Sequence, residues 1–188
     1  MKCTTCGGPR GAPLRASVFT DTVVGRRFRQ LTEGTNLETS QLDGFERTNE
    51  TFTGRCLCGA VSYTCDAAAV FQFNCHCRDC QRSTGCAFAS ILFVPRSALH
   101  VQGALTYYTS QGGSGQSITR GFCGICGAQV LGDAQMVAPL ISLRAGTLDD
   151  PSVFRPKADV CVGHAAAWVA MNADLPKFQA MPMRPSEM

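Results

Sequence analysis

Residues 54–61 are Gly-Arg-Cys-Leu-Cys-Gly-Ala-Val, and residues 122–127 are Phe-Cys-Gly-Ile-Cys-Gly. Each stretch places two cysteines in one tight turn, here called a zinc knuckle. The glycine that follows lets the backbone bend sharply and point N–H groups at sulfur. Two knuckles about 65 residues apart can close one tetrahedral site through four thiols. The pattern predicts a structural zinc that joins two ends of a β domain, and two unrelated surface turns are the alternative. The predicted ligands are Cys56, Cys58, Cys123 and Cys126.

A third cysteine group lies between the knuckles, in Cys75-His76-Cys77-Arg78-Asp79-Cys80. It offers three thiols and no obvious fourth ligand, which is typical of a catalytic zinc with one open position. Three thiolates form a soft ligand set that suits a fourth thiolate from a substrate. His76 is an alternative fourth ligand, but both its neighbours are predicted ligands and the geometry would be strained. Cys86 is another alternative, although its surroundings favour a small buried thiol at the start of a strand.

The hydrophobic pattern after Thr51 predicts a mainly β domain with short strands and glycine-rich turns. The single helical segment runs from Cys77 through Arg82, and the glycine-rich residues 111–115 are expected to connect two strands of a hairpin. Cys65, Cys161 and Trp168 are expected in the core. The predicted strands cover residues 60–64, 70–73, 88–94, 101–108, 117–122 and 137–143.

Composition narrows the class of protein. The chain has 188 residues, 12 cysteines and a formal charge of +3, and this length suits one domain. No apolar run approaches the roughly 18 residues of a membrane helix, and the charge is too small to indicate nucleic acid or a membrane surface. The first residues lack an apolar signal segment, so we expect a cytoplasmic protein whose clustered thiols bind metal instead of forming disulfides. Seven thiolates and two Zn²⁺ would bring seven negative and four positive charges, which offsets the formal +3.

The sequence predicts three segments. Residues 1–50 mix acidic and basic side chains without apolar periodicity, and we expect a disordered extension. Its Cys3 and Cys6 are either an incidental pair or half of a zinc site. Residues 51–182 form the zinc-binding β domain, and residues 183–188 form a tail.

The three cysteine groups resemble the glutathione-dependent formaldehyde-activating family, which includes centromere-protein-V-like members. The resemblance spans residues 52–180. It implies several small, coiled antiparallel β-sheets organised around zinc knuckles. It also implies a structural zinc on the four knuckle cysteines and a catalytic zinc with one open position on Cys75, Cys77 and Cys80. Cys86 departs from the family pattern, which usually has a small non-thiol residue at this position, and the departure puts the open zinc position in question. The matching segments are residues 54–61, 74–85, 122–127 and 145–151, with His164, Trp168 and residues 176–178.

The family's activity adds glutathione to formaldehyde to give S-hydroxymethylglutathione and is classed as a carbon–sulfur lyase. The resemblance implies two Zn²⁺ per chain, glutathione as co-substrate and a small electrophile as second partner. Our hypothesis is that the zinc takes the substrate thiol as fourth ligand, while His76 or Asp79 supplies or relays a proton. Thiols add to formaldehyde unaided, so catalysis needs to lower the barrier only modestly, mainly by positioning. A site that serves mainly as a carrier is the alternative.

Three arginines near the cysteines are candidate partners for the two carboxylates of glutathione: Arg78, Arg82 and Arg120. Arginine suits bidentate binding of a carboxylate, and the alternative is that these side chains balance thiolate charge. Two other functions remain open. One is a non-catalytic two-zinc binding module, and the other is a zinc enzyme of this fold acting on a different thiol adduct. The sequence does not predict the oligomeric state.

Overall fold

A computed structural model of the protein describes residues 51–113 and 115–182. This part of the chain is mainly β, as predicted, with eleven strands and one α-helix. The predicted extension 1–50, with Cys3 and Cys6, and the predicted tail 183–188 lie outside the described residues. The elements are β1 (Phe52–Arg55), β2 (Ser62–Cys65), β3 (Phe71–Cys75), α1 (Arg78–Thr84), β4 (Ala89–Pro95), β5 (Leu99–Gln102), β6 (Leu105–Gln111), β7 (Ser117–Cys123), β8 (Gln129–Ala134), β9 (Leu140–Arg144), β10 (Asp159–Val160) and β11 (Lys177–Phe178).

The strands form two open sheets. The smaller has the order β1-β2-β5, and the larger has the order β11-β10-β3-β4-β9-β8-β7-β6. Most pairs are antiparallel, in keeping with the short connections between them. The exceptions lie at one edge, where β10 pairs in parallel with both β3 and β11, so the larger sheet is mixed and not purely antiparallel.

Strand β4 is central because both of its faces are buried. Leu92 and Val94 point into a core shared with the smaller sheet, whereas Ile91 and Phe93 point into a second core on the opposite face. This alternation follows from the two-residue period of a strand. It explains why residues 88–94 form a continuous apolar run, and it confirms the prediction of a strand buried on both sides.

The helix α1 begins and ends through identifiable local interactions. The Cys77 sulfur accepts a hydrogen bond from the Cys80 N–H at the N-terminus. At the other end Gly85 adopts φ = 68°, and its N–H bonds the Gln81 carbonyl at 2.9 Å, a common way to end a helix. The predicted helical segment is therefore confirmed, and α1 follows the end of β3 after two residues.

The predicted strand over residues 101–108 is wrong, because the structure has two strands there in different sheets. Gly103 separates β5 from β6, and its φ is +89°. A Cβ at this position would lie 2.1 Å from the Ala60 carbonyl oxygen. The close approach requires glycine, and the chain bends at this residue between a strand of the smaller sheet and a strand of the larger one.

Two expectations about burial are also wrong. Trp168 is 77% exposed and is not a core residue, because it lies in an irregular segment after β10. Cys86 is exposed as well, because it lies in the turn between α1 and β4 and not inside a strand. Cys65 and Cys161 are buried as expected. No helix among the described residues has the length and apolar character needed to cross a membrane.

Candidate metal centres

The two predicted knuckles come together in the structure. Cys56 and Cys58 follow β1, whereas Cys123 ends β7 and Cys126 follows it. The four Sγ atoms, here called the four-thiol cluster, all lie within 4.8 Å of one another. The separation is 3.6 Å between Cys56 and Cys58 and 3.8 Å between Cys58 and Cys123. Four sulfurs at about 2.3 Å from a tetrahedral Zn²⁺ would be about 3.8 Å apart, so the cluster fits such an ion.

Backbone N–H groups point at these sulfurs, as the knuckle glycines predict. The Val61 N–H donates to the Cys56 sulfur at 3.2 Å. Burial raises the pKa of the Cys126 thiol. Hydrogen bonds from the backbone of Ala128 and Cys58 and from the neighbouring thiols outweigh this effect and lower the pKa to about 6. Hydrogen bonds to the charged form favour a thiolate. In the same cluster a hydrogen bond from the Ala60 backbone lowers the pKa of Cys58, but burial and the three neighbouring thiols together raise it to about 11. Cys126 is therefore prepared to ionise, whereas Cys58 is not.

The three-thiol cluster consists of Cys75, Cys77 and Cys80, whose Sγ atoms also lie within 4.8 Å of one another. Cys75 ends β3, Cys77 precedes α1 and Cys80 lies in its first turn. Cys75 and Cys80 are buried and Cys77 is half-buried. Hydrogen bonds from the thiols of Cys75 and Cys80 lower the pKa of Cys77. The strand-to-helix turn thus brings three sulfurs around one point, with Cys77 as the most readily ionised.

Two further cysteines, Cys86 and Cys161, do not join this cluster. The Cys86 sulfur is 3.6 Å from the Thr84 carbonyl oxygen and lies outside the group of three. Cys161 adopts φ = 57°, and its thiol interacts with that of Cys75. It too is outside the group whose sulfurs all lie within 4.8 Å. In the described part of the chain, no fourth Cys, His, Asp or Glu completes the set.

His76 is fully buried between two cluster cysteines. Its Nε2 lies 3.3 Å from Asp159 Oδ1, and the same oxygen accepts a hydrogen bond from Asn74 at 3.1 Å. The imidazole ring packs against Phe88, with 5.0 Å between ring centroids. Asp159 belongs to β10, which pairs with β3. The His76–Asp159 contact therefore joins the cluster's strand to its parallel neighbour.

Two cavities border the helix of the three-thiol cluster. The larger, about 640 Å³, and the smaller, about 490 Å³, share Ser83, Gly127 and Gln129 as lining residues. The cluster cysteines do not line either cavity, although other residues of α1 line both. The larger cavity is also lined by Asp79, Arg82, Tyr108 and Arg120, and the smaller by Cys86, Phe88, Arg144 and Thr147.

The predicted arginines lie in three different environments. Arg78 is exposed and donates a hydrogen bond to the Gln81 side chain. Arg82 is exposed and Arg120 is buried, and both line the larger cavity. The structure thus brings Asp79, Arg82 and Arg120 to one cavity, while Arg78 lies outside it.

Sequence reasoning missed three residues around this site. Arg144 is buried at the end of β9, where its charge interacts with the cluster cysteines. Asp159 is the buried partner of His76. Gln81 donates hydrogen bonds to the carbonyl oxygens of His76 and His164, at 2.6 and 2.9 Å. The sequence signal that could have found them is a charged or polar side chain next to apolar strand residues, as in Leu140–Arg144. This pattern does not identify the residues that such a side chain contacts.

Comparison with known proteins agrees with this geometry. The family described as glutathione-dependent formaldehyde-activating enzyme matches residues 51–164, which is more than half of the chain and includes both thiol clusters. A crystal structure of a Rhodobacter sphaeroides protein is 26% identical, covering 52% of this chain and 87% of that one with a TM-score of 0.42. No match was found among curated proteins. The family match shows that this chain belongs to the glutathione-dependent formaldehyde-activating family.

Proposed function

We propose that this protein is a zinc-dependent carbon–sulfur lyase-type enzyme that adds glutathione, or a related thiol, to formaldehyde or a similar small electrophile. The observation that carries the proposal is the three-thiol cluster. Its sulfurs lie within 4.8 Å of one another, and no fourth ligand joins them among the described residues. The four-thiol cluster offers a complete tetrahedral set, whereas this one leaves a position for a ligand from outside.

The two clusters would hold two Zn²⁺ with different roles. The ion in the four-thiol cluster would be structural, because a closed set of four thiolates leaves no site for substrate. When bound at the three-thiol cluster, zinc would accept the substrate thiol and favour its thiolate form. Cys77 supports this role because it is the half-buried member of the cluster, and a substrate thiol would approach the metal from the side of Cys77.

The reaction needs one new bond and one proton. The substrate thiol gives up its S–H proton, its sulfur forms a bond to the carbonyl carbon, the C=O π electrons move to oxygen, and the resulting alkoxide takes up the proton that the thiol released. We assign the proton relay to Asp79, which lines the larger cavity beside the cluster helix. His76 is buried against Asp159, so we assign it a positioning role that fixes the backbone between Cys75 and Cys77.

The carboxylates of glutathione need cationic partners. Arg82 and Arg120 line the larger cavity and are the proposed partners, with Arg78 as an exposed neighbour on the same helix turn. All of these thiols must stay reduced to bind metal, so we propose the cytoplasm as the working compartment.

The test is exchange NMR of ¹³C-formaldehyde with glutathione, with and without the zinc-loaded full chain. We expect faster exchange between hydrated formaldehyde and S-hydroxymethylglutathione. Cys77→Ser should abolish this acceleration and reduce the metal content from two ions to one. Cys86→Ser is the matched control, because this thiol is nearby but outside the cluster, and it should leave both quantities unchanged.

Three results would contradict the proposal. These results are no acceleration of exchange by the wild-type protein, acceleration retained in Cys77→Ser, and loss of a metal ion in Cys86→Ser. A folded protein with two zinc ions and no effect on exchange would favour the non-catalytic binding module. Acceleration with another thiol but not with glutathione would favour an enzyme for a different thiol adduct.

A further inference from the structure

Cys161 is a buried thiol that the proposed function does not use. It is 9% exposed and follows directly after β10. Its backbone adopts φ = 57° and ψ = 35°, and among the described residues it is the one non-glycine residue with a positive φ. A side chain in this left-handed region is disfavoured, because its Cβ crowds the following carbonyl oxygen. Such a conformation persists only where the surrounding structure holds it, and it often marks a functional site.

The left-handed turn brings the Cys161 side chain to the face that Cys75 occupies. β10 pairs in parallel with β3, and Val160 is the partner of Cys75. Successive side chains of a strand point to opposite faces, so a regular continuation of β10 would direct Cys161 away from Cys75. Instead, Cys75, Val160 and Cys161 all belong to the second core. The conformation at residue 161 thus places two consecutive side chains on the same side as Cys75.

The thiols of Cys75 and Cys161 are placed for a disulfide. Neighbouring strands lie about 4.8 Å apart and each residue advances a strand by about 3.3 Å. Because Cys161 is one residue beyond the partner of Cys75, this spacing puts their Cα atoms about 6 Å apart. Disulfide-bonded cysteines have Cα atoms about 4.4–6.8 Å apart. The Cys161 thiol also interacts directly with that of Cys75, so little movement is needed to join them.

The two other thiols outside the clusters have different partners. Cys65 is buried in the core shared with the smaller sheet, and its thiol donates to the Ala67 carbonyl at 3.4 Å. Cys86 is exposed, and its thiol donates to the Thr84 carbonyl at 3.6 Å. Each of these thiols has a backbone carbonyl as its partner, whereas Cys161 has the thiol of a predicted metal ligand.

We propose that Cys161 is an oxidative modification site, at which a peroxide converts the thiols of Cys75 and Cys161 to a disulfide and thereby removes the metal from the three-thiol cluster. In the first step one thiol of the pair becomes a sulfenic acid, and hydrogen peroxide releases one water. In the second step the other sulfur attacks the sulfenic sulfur, the S–S bond forms, and the sulfenic oxygen leaves as a second water. The pair loses two electrons and two protons, which the peroxide accepts.

The disulfide would take one of the three sulfur ligands. A thiolate is a metal ligand and a disulfide sulfur is not, so Cys77 and Cys80 would be left as an insufficient set. The four-thiol cluster would keep its metal. The inference rests on the proposed function only in requiring a metal at the three-thiol cluster, and it requires neither glutathione nor formaldehyde.

An oxidant can reach the pair through local opening. Strands β10 and β11 contain two residues each and lie at one end of the larger sheet. Segments with few contacts open at a lower free energy than central strands. Opening at this edge would expose Cys161 first, because it is 9% exposed in the closed structure and Cys75 only 2%.

The test treats the zinc-loaded full chain with a small excess of hydrogen peroxide and then removes the peroxide with catalase. Metal analysis measures the bound zinc, and non-reducing peptide mapping by mass spectrometry identifies the disulfides. We expect bound zinc to fall from two ions to one per chain as the Cys75–Cys161 disulfide forms. Dithiothreitol with added zinc should restore the second ion, because a disulfide is reducible and a sulfinic acid is not.

Two variants remove the thiol at position 161. Cys161→Ser keeps the size of the side chain, and Cys161→Gly suits the positive φ. Both should hold two zinc ions before treatment and keep both under the same exposure to peroxide. Cys86→Ser is the matched control, because it removes an exposed thiol outside the cluster, and it should lose one ion as the wild-type protein does. Scanning calorimetry before treatment verifies that each variant is folded.

The proposal is overturned if peroxide releases no zinc from the wild-type protein, or if the disulfide that forms joins two cysteines of the cluster instead of Cys75 and Cys161. Equal release from the wild-type protein and a folded Cys161 variant also overturns it. Loss of an ion from either variant before treatment would show that Cys161 is itself a metal ligand, and would overturn the modification site. A reduced wild-type protein with only one zinc ion overturns the proposed function together with this inference, whereas the first three results leave that function intact.

Discussion

Replacing Cys126 by serine should destabilise the metal-loaded protein about twice as much as replacing Cys77. A metal in the four-thiol cluster cross-links Cys58 to Cys123 across 65 residues. By the loop-entropy relation for a cross-link, closing a loop of this length restricts the unfolded chain by about 4 kcal/mol. The three-thiol cluster closes only residues 75–80, and the same relation gives about 2 kcal/mol. These are minimum effects, because metal–ligand bonds add to them.

Such a loss is large against the roughly 5–15 kcal/mol by which a domain is stable. For a domain of this size, about 4 kcal/mol corresponds to a fall in melting temperature of roughly 12–20 °C. Scanning calorimetry should show that fall in Cys126→Ser and roughly half of it in Cys77→Ser. Metal analysis by mass spectrometry should find one Zn²⁺ per chain in each variant and two in the control, Cys86→Ser.

The reasoning is refuted if the two variants lose equal stability or if Cys126→Ser keeps both ions. Equal losses would mean that the three-thiol cluster also holds distant segments together, which would weaken its assignment as an open site. A chelator should cause a fall in the wild-type protein that is at least as large as that of Cys126→Ser, because it removes this cross-link together with that of the three-thiol cluster.

Three other expectations concern single residues. Gly103→Ala should lower the free energy of unfolding by more than about 2 kcal/mol, because of backbone strain and the contact with the Ala60 carbonyl. Gly113 has open space around its Cβ position, so Gly113→Ala should change this free energy by less than about 1 kcal/mol. Chemical denaturation measures both changes. Burial raises the pKa of Tyr63 to about 12, so its contribution to stability is complete below about pH 10 and is lost as the pH rises through 12. Ultraviolet titration should lose its last step in Tyr63→Phe, and an unchanged titration contradicts the assignment. Trp168, the only tryptophan, is 77% exposed, so its fluorescence should be that of a solvated indole open to acrylamide, and a blue-shifted, protected emission would show that it is buried.

The local features of this fold were predictable because they depend on residues close together in the chain. Gly59 and Gly127 adopt positive φ in the knuckles, α1 forms after Cys77, and β4 is apolar throughout because both its faces are covered. The break at Gly103 was not predictable from the hydrophobic pattern, since Val101 and Leu105 continue it. The break depends on the Ala60 carbonyl, which is distant in sequence and leaves no space for a side chain.

In the candidate site, too, some features follow from local sequence and others only from the tertiary structure. The knuckle spacing by itself identified the four-thiol cluster, and six residues contain all of the three-thiol cluster, because sulfur ligands within one turn are fixed by local geometry. Only the tertiary structure brought Asp159 to His76 and the guanidiniums of Arg120 and Arg144 to the cavities beside α1. These neighbours come from strands that are far apart in sequence. Their meeting depends on sheet order and register, which the period of a single strand does not encode.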